Sequence, residues 1–140
     1  MFLNQQVQSH HVFDYMLDRM KGADSMTISS FAITEAYVRR IIRNRWRIGR
    51  IDLVLDFTIA SRNRTVLLYA AHNVDGIYLV NNHSKIILVE KDARRLVAVM
   101  SNNATNNHRY ESGVIFDDPE ATASFAVEIE KMKKDAKMYG

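Results

Sequence analysis

Two rhythms of apolar and polar residues alternate along this chain, and each change of rhythm marks a new element. Between Val7 and Met20 the apolar residues Val12, Phe13, Met16, Leu17 and Met20 recur at helical spacing, and Gly22 ends the run. Ser25 to Ile33, with Met26, Ile28 and Phe31 apolar, predicts a buried strand. Thr34 is placed to cap a second helix, which runs to about Ile48 and stops at Gly49. Ile51 to Phe57 predicts a strand, and Ser61 a cap for a helix through Leu67, Leu68 and Ala71. Ile77–Val80 and Lys85–Val89 predict adjacent strands joined by a turn at Asn81-Asn82. Leu96–Met100 and Val114–Phe116 add two strands. Pro119, favoured in a first turn, opens a last helix carrying Ala123, Phe125, Ala126, Val127, Ile129 and Met132.

Helices alternate with strands in the first half of the chain, and strands cluster in the second. That order predicts an α/β fold, a mixed central sheet sandwiched between helices. At 140 residues, 47% apolar and 25% charged, residues 1–140 are expected to form a single domain with a sizeable core. One Pro and five Gly leave no room for a Pro- or Gly-rich linker, and no repeat is visible. The absence of Cys excludes disulfides and thiolate metal sites, and it fits a cytoplasmic protein. The segment Met1 to Gln6 does not read as a signal peptide, and no apolar run has the length of a membrane span. The net charge of +3 is unevenly spread: residues 36–70 hold eight Arg against two Asp, whereas residues 111–140 hold seven acids against four Lys. The basic stretch suits a polyanion.

Candidate chemistry centres on His83-Ser84-Lys85, followed by the apolar run Ile86 to Val89 and then Glu90. Read as the start of a strand, His83 and Lys85 project to one face with Ser84 turned away. An imidazole able to act as nucleophile or proton donor, beside an ammonium able to hold an anion, suits chemistry on a phosphate. H-x-K alone is weak, since about one chance match is expected in four chains of this composition. The residues C-terminal to it add weight. The strand Val97 to Met100 runs into Ser101-Asn102-Asn103-Ala104-Thr105, and Tyr110-Glu111-Ser112-Gly113-Val114-Ile115-Phe116 comes next.

This order resembles the phospholipase D superfamily, with H-x-K-x4-D, then a strand ending in G-S-x-N-x-T, then a strand carrying a Glu. The resemblance is closest to the short single-motif phosphodiesterases and endonucleases and is strongest over residues 74–130. Two positions depart from the pattern: Glu90 stands for Asp, and Met100 for Gly. A family loop that needs positive φ at Met100 would be reshaped. The resemblance implies a phospholipase D-like half-domain and metal-independent hydrolysis through a phosphohistidine. It implies a homodimer, because one H-x-K motif supplies one His where the mechanism uses two. It gives Lys85 and Asn103 the phosphoryl oxygens, Ser101 the loop or the phosphate, and Glu111 the second imidazole N–H of His83. No metal and no cofactor are implied.

Arg39, Arg43, Arg47 and Arg50 recur along one predicted helix stripe, a track for nucleic-acid phosphates, DNA above all, or else a solvated face. Trp46 is expected to pack at a core edge more readily than to stack on a base. Glu90 reads as structural and Thr105 as a loop hydrogen-bonder. His72 and His108 read as surface residues, and His10-His11 has no partner at a metal-ligand spacing. The leading expectation is a nucleic-acid phosphodiesterase with no membrane role. The alternatives are an inactive nucleic-acid-binding module and a phosphodiesterase on a non-nucleic substrate.

Overall fold

Alternate residues of a strand face opposite sides of its sheet, so a sheet covered on both faces needs apolar residues at both parities. The chain meets that need in its central strands. The computed structural model describes residues 1–105 and 109–140. Its elements are β1 (Phe2–Gln5), α1 (Ser9–Met20), β2 (Ala23–Ser30), α2 (Glu35–Asn44), a 3-10 turn (Arg45–Arg47), β3 (Ile48–Asp56), α3 (Ile59–Arg62) and α4 (Arg64–Ala71). They continue with β4 (Gly76–Val80), β5 (Ile86–Lys91), β6 (Arg94–Met100), β7 (Glu111–Phe116), α5 (Pro119–Asp135) and β8 (Lys137–Met138).

All eight strands form one sheet in the order β1-β7-β6-β5-β2-β3-β4-β8. β2, β3 and β4 are parallel, and every other pairing is antiparallel. On one face Ile87 and Val89 of β5 and Leu96 and Ala98 of β6 join Phe13, Met16 and Leu17 of α1, Val38 and Ile41 of α2 and Leu67 of α4 in the main core. The intervening Leu88 and Val97 face the other way and pack with Ile129 of α5. Helices thus cover both faces of a mixed sheet, as the element order predicts. Under α5 the centre of the sheet is polar: Lys133 donates to Asp52 at 3.0 Å and to Thr27 at 3.4 Å. Among the described residues, no helix is long and apolar enough to cross a membrane.

The structure corrects the predicted elements in four places. First, β4 and β5 are not neighbours, because β2 and β3 lie between them. β4 closes a parallel unit with β3 through α4, and β5 returns to pair antiparallel with β2, so residues 81–85 cross the strand ends instead of turning. Second, α2 ends at Asn44 and not near Ile48. Asn44 Nδ2 donates back to Arg40 O at 2.8 Å, and Gly49 lies inside β3, where a Cβ would come within 2.6 Å of Asp24 O. Third, β2 stops at Ser30, and Ile33 makes an isolated bridge to Ala104. Fourth, Asn63 divides the predicted 61–71 helix by capping α4 through Val66 N–H at 3.3 Å. The short edge strands β1 and β8 carry no periodicity long enough to announce them.

Gly113 of β7 is paired with Met100 of β6. A Cβ there would lie 2.7 Å from the Phe2 ring and 2.9 Å from Met100 Cβ. We expect Gly113→Ala to destabilise the protein by about 1–3 kcal/mol. In a Met100→Ala background, urea unfolding should show a smaller loss; an equal loss would show that Met100 does not set the constraint.

Candidate active site

The carboxyl ends of the parallel strands β2, β3 and β4 share one side of the sheet with the start of β5, the end of β6 and the start of β7. Strand ends of this kind are where open α/β sheets place their ligands. The crossing segment 81–85 closes this side. Asn82 turns inward and is 2% exposed. Its backbone N–H donates to Asp56 Oδ1 at 3.0 Å, and its Nδ2 donates to Ser29 Oγ and Val54 O, both at 3.0 Å. Its Oδ1 accepts from Ser84 N–H at 2.9 Å and Ser84 Oγ at 2.7 Å, and the Ser29 and Ser84 hydroxyls lie 2.6 Å apart. Asn82 thereby pairs buried polar groups at the ends of two strands, the Ser29 hydroxyl of β2 and the Val54 carbonyl of β3. Asp56, itself buried, also accepts from the Thr58 N–H at 3.1 Å and the Thr58 hydroxyl. Burial alone would raise its carboxyl. The hydrogen bonds from Thr58 and Asn82, with the charge of Arg62, together hold it below the usual carboxylate range.

With Asn82 turned in, His83 is turned out. Its ring stacks on Phe31 with centroids 4.5 Å apart. The Arg62 guanidinium lies 4.3 Å from the same Phe31 ring and donates to Phe31 O at 3.1 Å and Thr58 Oγ1 at 2.8 Å. Lys85 Nζ donates to His83 O at 2.9 Å, and Lys85 O accepts from Met100 N–H at 3.1 Å, which brings the end of β6 alongside. Asn103 Oδ1 accepts from Phe31 N–H at 3.2 Å and Ser30 Oγ at 3.3 Å. A backbone N–H can only donate, so the amide orientation is set, and its Nδ2 has no partner among the described residues. Ser101 donates its hydroxyl to Glu111 and accepts from Ser112 N–H at 2.9 Å.

The chain matches no protein-family model and no curated protein sequence. It does match solved structures. Over 91% of this chain and 90% of the other, it superposes on Nuc from Salmonella typhimurium, a phospholipase D family member, with a TM-score of 0.70 at 18% identity. The chain has the phospholipase D fold. It is similar also to TrmBL2, an archaeal chromatin protein described with a novel mode of DNA binding, over 92% of this chain and 49% of that one (TM-score 0.64, 14% identity). A third match is polyphosphate kinase from Porphyromonas gingivalis, over 87% of this chain and 20% of the kinase (TM-score 0.62, 13% identity).

Within this phospholipase D fold, the topology brings His83, Lys85, Ser101, Asn103 and Glu111 to one side of the sheet. Two geometric expectations change. His83 and Lys85 precede β5 and lie in the crossing segment, because the inward turn of Asn82 interrupts the strand. Glu111 bonds Ser101 and not His83, which stacks on Phe31 just beyond the end of β2, and β5 and β6 separate β2 from β7. The imidazole of His83 has no hydrogen bond among the described residues. Neither departure from the family motif intrudes on this side. Met100 points into the main core and is 8% exposed, and it is not among the positive-φ residues. Glu90 pairs with Arg95 at 3.1 Å, near the other end of β5.

The predicted arginine stripe is not one helix face. Arg39 and Arg43 are on α2, where Arg39 pairs with Glu35 at 2.7 Å. Arg47, in the 3-10 turn, donates to Asp18 at 2.7 Å, and Arg50, on β3, pairs with Asp52 at 3.0 Å. Trp46 is 83% exposed and so is not a core-edge residue. His72 is exposed, with Nδ1 2.8 Å from Leu68 O. His10 and His11 stack on each other at 4.2 Å, and among the described residues no three His, Asp or Glu side chains gather as metal ligands do. His108 lies outside the described residues.

Sequence reasoning missed Ser29, Phe31, Asp56, Arg62 and Asn82. The available signal was Asp56, an acid that follows the apolar run Leu53-Val54-Leu55 at the end of the strand where such sheets bind ligands. Asn82→Ala should destabilise the fold by about 2–4 kcal/mol by orphaning buried partners, measured by urea unfolding. Asp56→Asn should cost most stability above pH 5 or so. A carboxyl lowered in the native state stabilises fully above its unfolded pKa of about 3.9 and loses that contribution as pH falls through its native value. The gap between wild type and Asp56→Asn should therefore narrow below about pH 4. A constant gap from about pH 7 to about pH 2.5 would contradict this account of Asp56.

Proposed function

We propose that the chain is a phosphodiesterase of nucleic acid, DNA above all, working through a phosphohistidine in a site shared by two copies. The observation that carries this reading is the convergence, on the strand ends of a phospholipase D fold, of an ammonium with an imidazole and an oriented amide nitrogen that have no hydrogen-bond partner among the described residues. In the first step one ring nitrogen of His83 forms a bond to phosphorus, and the bond to the leaving oxygen breaks. His83 of the second copy gives that oxygen its proton. In the second step water attacks phosphorus, gives a proton to that same imidazole, and displaces the first His83. Lys85 and the Nδ2 of Asn103 hold the phosphoryl oxygens, where negative charge develops. Ser101 and Glu111, bonded to each other, fix the loop that carries Asn103. Two-fold symmetry makes the interface isologous. The run of Arg between residues 39 and 50 favours a polymer of phosphates over a lipid.

A second reading is a DNA-binding module without catalysis, favoured by the likeness of the fold to that of an archaeal chromatin protein. One experiment separates them. Plasmid DNA incubated with the protein in EDTA should be nicked, and His83→Ala should lower the rate by at least about a thousandfold while DNA binding persists. Binding without nicking in the wild type would leave the module reading alone. Nicking that needs an added divalent ion would remove the proposed roles of Lys85 and Asn103. Sedimentation should give a homodimer, and an active monomer would defeat the shared site.

A further inference from the structure

A cleft of about 210 Å³ opens between the start of α1 and α2, lined by His10, Tyr37, Arg39, Arg40, Arg43 and Thr105. Three guanidiniums line it, and two carboxylates offset them. Glu35 meets Arg39 in an exposed i,i+4 pair, which holds weakly, and Asp14 accepts from Arg40 Nε at 3.0 Å. Arg43 is exposed and has no partner among the described residues. Burial, then the charges of His11 and Arg40, lower the pKa of His10, so near pH 7 its ring is neutral and can donate one N–H. Tyr37, buried beneath, makes the floor firm by accepting from Ser9 Oγ at 3.3 Å.

The cleft is joined to the candidate active site by a single loop. Asn102 is tied to Val7 O at 2.7 Å, and Ala104 is held on both sides, its N–H by Ser30 Oγ at 2.8 Å and its carbonyl by Thr34 N–H at 3.0 Å. These bonds fix the loop, so that Asn103 faces the strand ends and Thr105 faces the cleft. Two residues of extended chain span at most about 7 Å. A net-cationic cleft with a guanidinium, that of Arg43, uncommitted among the described residues, this close to a proposed phosphodiester site, has the chemistry of a second phosphate subsite.

We infer that the cleft holds a further phosphate of the polynucleotide strand whose reacting phosphodiester lies at His83 and Lys85. Arg43 makes the principal contact, and Arg39 exchanges Glu35 for the phosphate. The inference rests on the proposed function for the place of the reacting group, but its test does not use turnover.

Fluorescence anisotropy of a labelled short single-stranded oligodeoxynucleotide is measured at several salt concentrations for wild type, Arg43→Gln and Arg94→Gln. Arg94 is exposed on β6, away from both sites, and serves as the control. Arg43→Gln should raise Kd about tenfold, the scale of one charge-assisted hydrogen bond, and flatten the slope of log affinity on log salt by about 0.7. Arg94→Gln should bind as wild type does, and Arg43→Lys should recover part of the affinity. Circular dichroism melts check that each variant is folded, and Arg39→Gln gives a second reading of the same cleft. Equal effects of Arg43→Gln and Arg94→Gln, or no binding by wild type, would overturn the subsite. A wild type that binds through Arg43 but cleaves no phosphodiester would remove the proposed chemistry and keep the cleft.

Discussion

The buried amide of Asn82 is the contact on which the candidate-site side of this sheet depends. Two interior strands, β2 and β3, end in buried polar residues, Ser29 and Ser30 on one and Asp56 on the other. A single side chain with two donors and an acceptor answers Ser29, Val54 and Ser84 together. An extended chain sends neighbouring side chains to opposite sides, so placing residue 82 inside places residue 83 outside. The exposure of His83 is therefore a consequence of backbone satisfaction next door. Asp56 reinforces it by holding the Asn82 N–H from the end of β3.

Beside this dependence, the two faces of the sheet divide their labour. The face under α1, α2 and α4 is apolar and carries most of the core. The face under α5 is dry near Leu88 and Val97 but polar near Asp52, where Lys133 is 12% exposed and its partner 7%. A buried ion pair of this kind adds little net stability, yet losing one partner strands a charge. It ties the position of α5 to the central strand β3. β3 ends in Asp56, so the same strand anchors the last long helix and the base of the candidate site.

How far the sequence is legible depends on the range of the interaction. α1 and α5 show in apolar spacing and caps, and the interiors of β3, β5 and β6 show in continuous apolar runs, because local pattern governs all of these. Strand adjacency does not show: Ile77–Val80 and Lys85–Val89 look like a hairpin until α4 forces β4 onto β3. The end of α2 is hidden because the chain leaves the helix at Asn44, whose side chain bonds back to Arg40 O, before it reaches the Gly49 that the sequence offers as a stop. In the candidate site, residues in short motifs such as His83, Lys85 and Asn103 are legible. Ser29, Phe31, Asp56 and Arg62 are not, because only the fold brings them together, from positions 29 to 62, beneath a segment at 81–85.

The positions of β1 and β8 have a mechanical consequence. They are the opposite margins of an eight-stranded sheet, so the two ends of the chain lie seven strand spacings apart, about 34 Å for an untwisted sheet. A tension applied between those ends loads the margins first. β1 and β8 are held by few paired residues, two in each case, and they peel before the long ladder between β2 and β3 feels the load. The molecule thus carries its own fuses at both edges, while the long β2–β3 ladder that ends beneath Asn82 would be among the last to part.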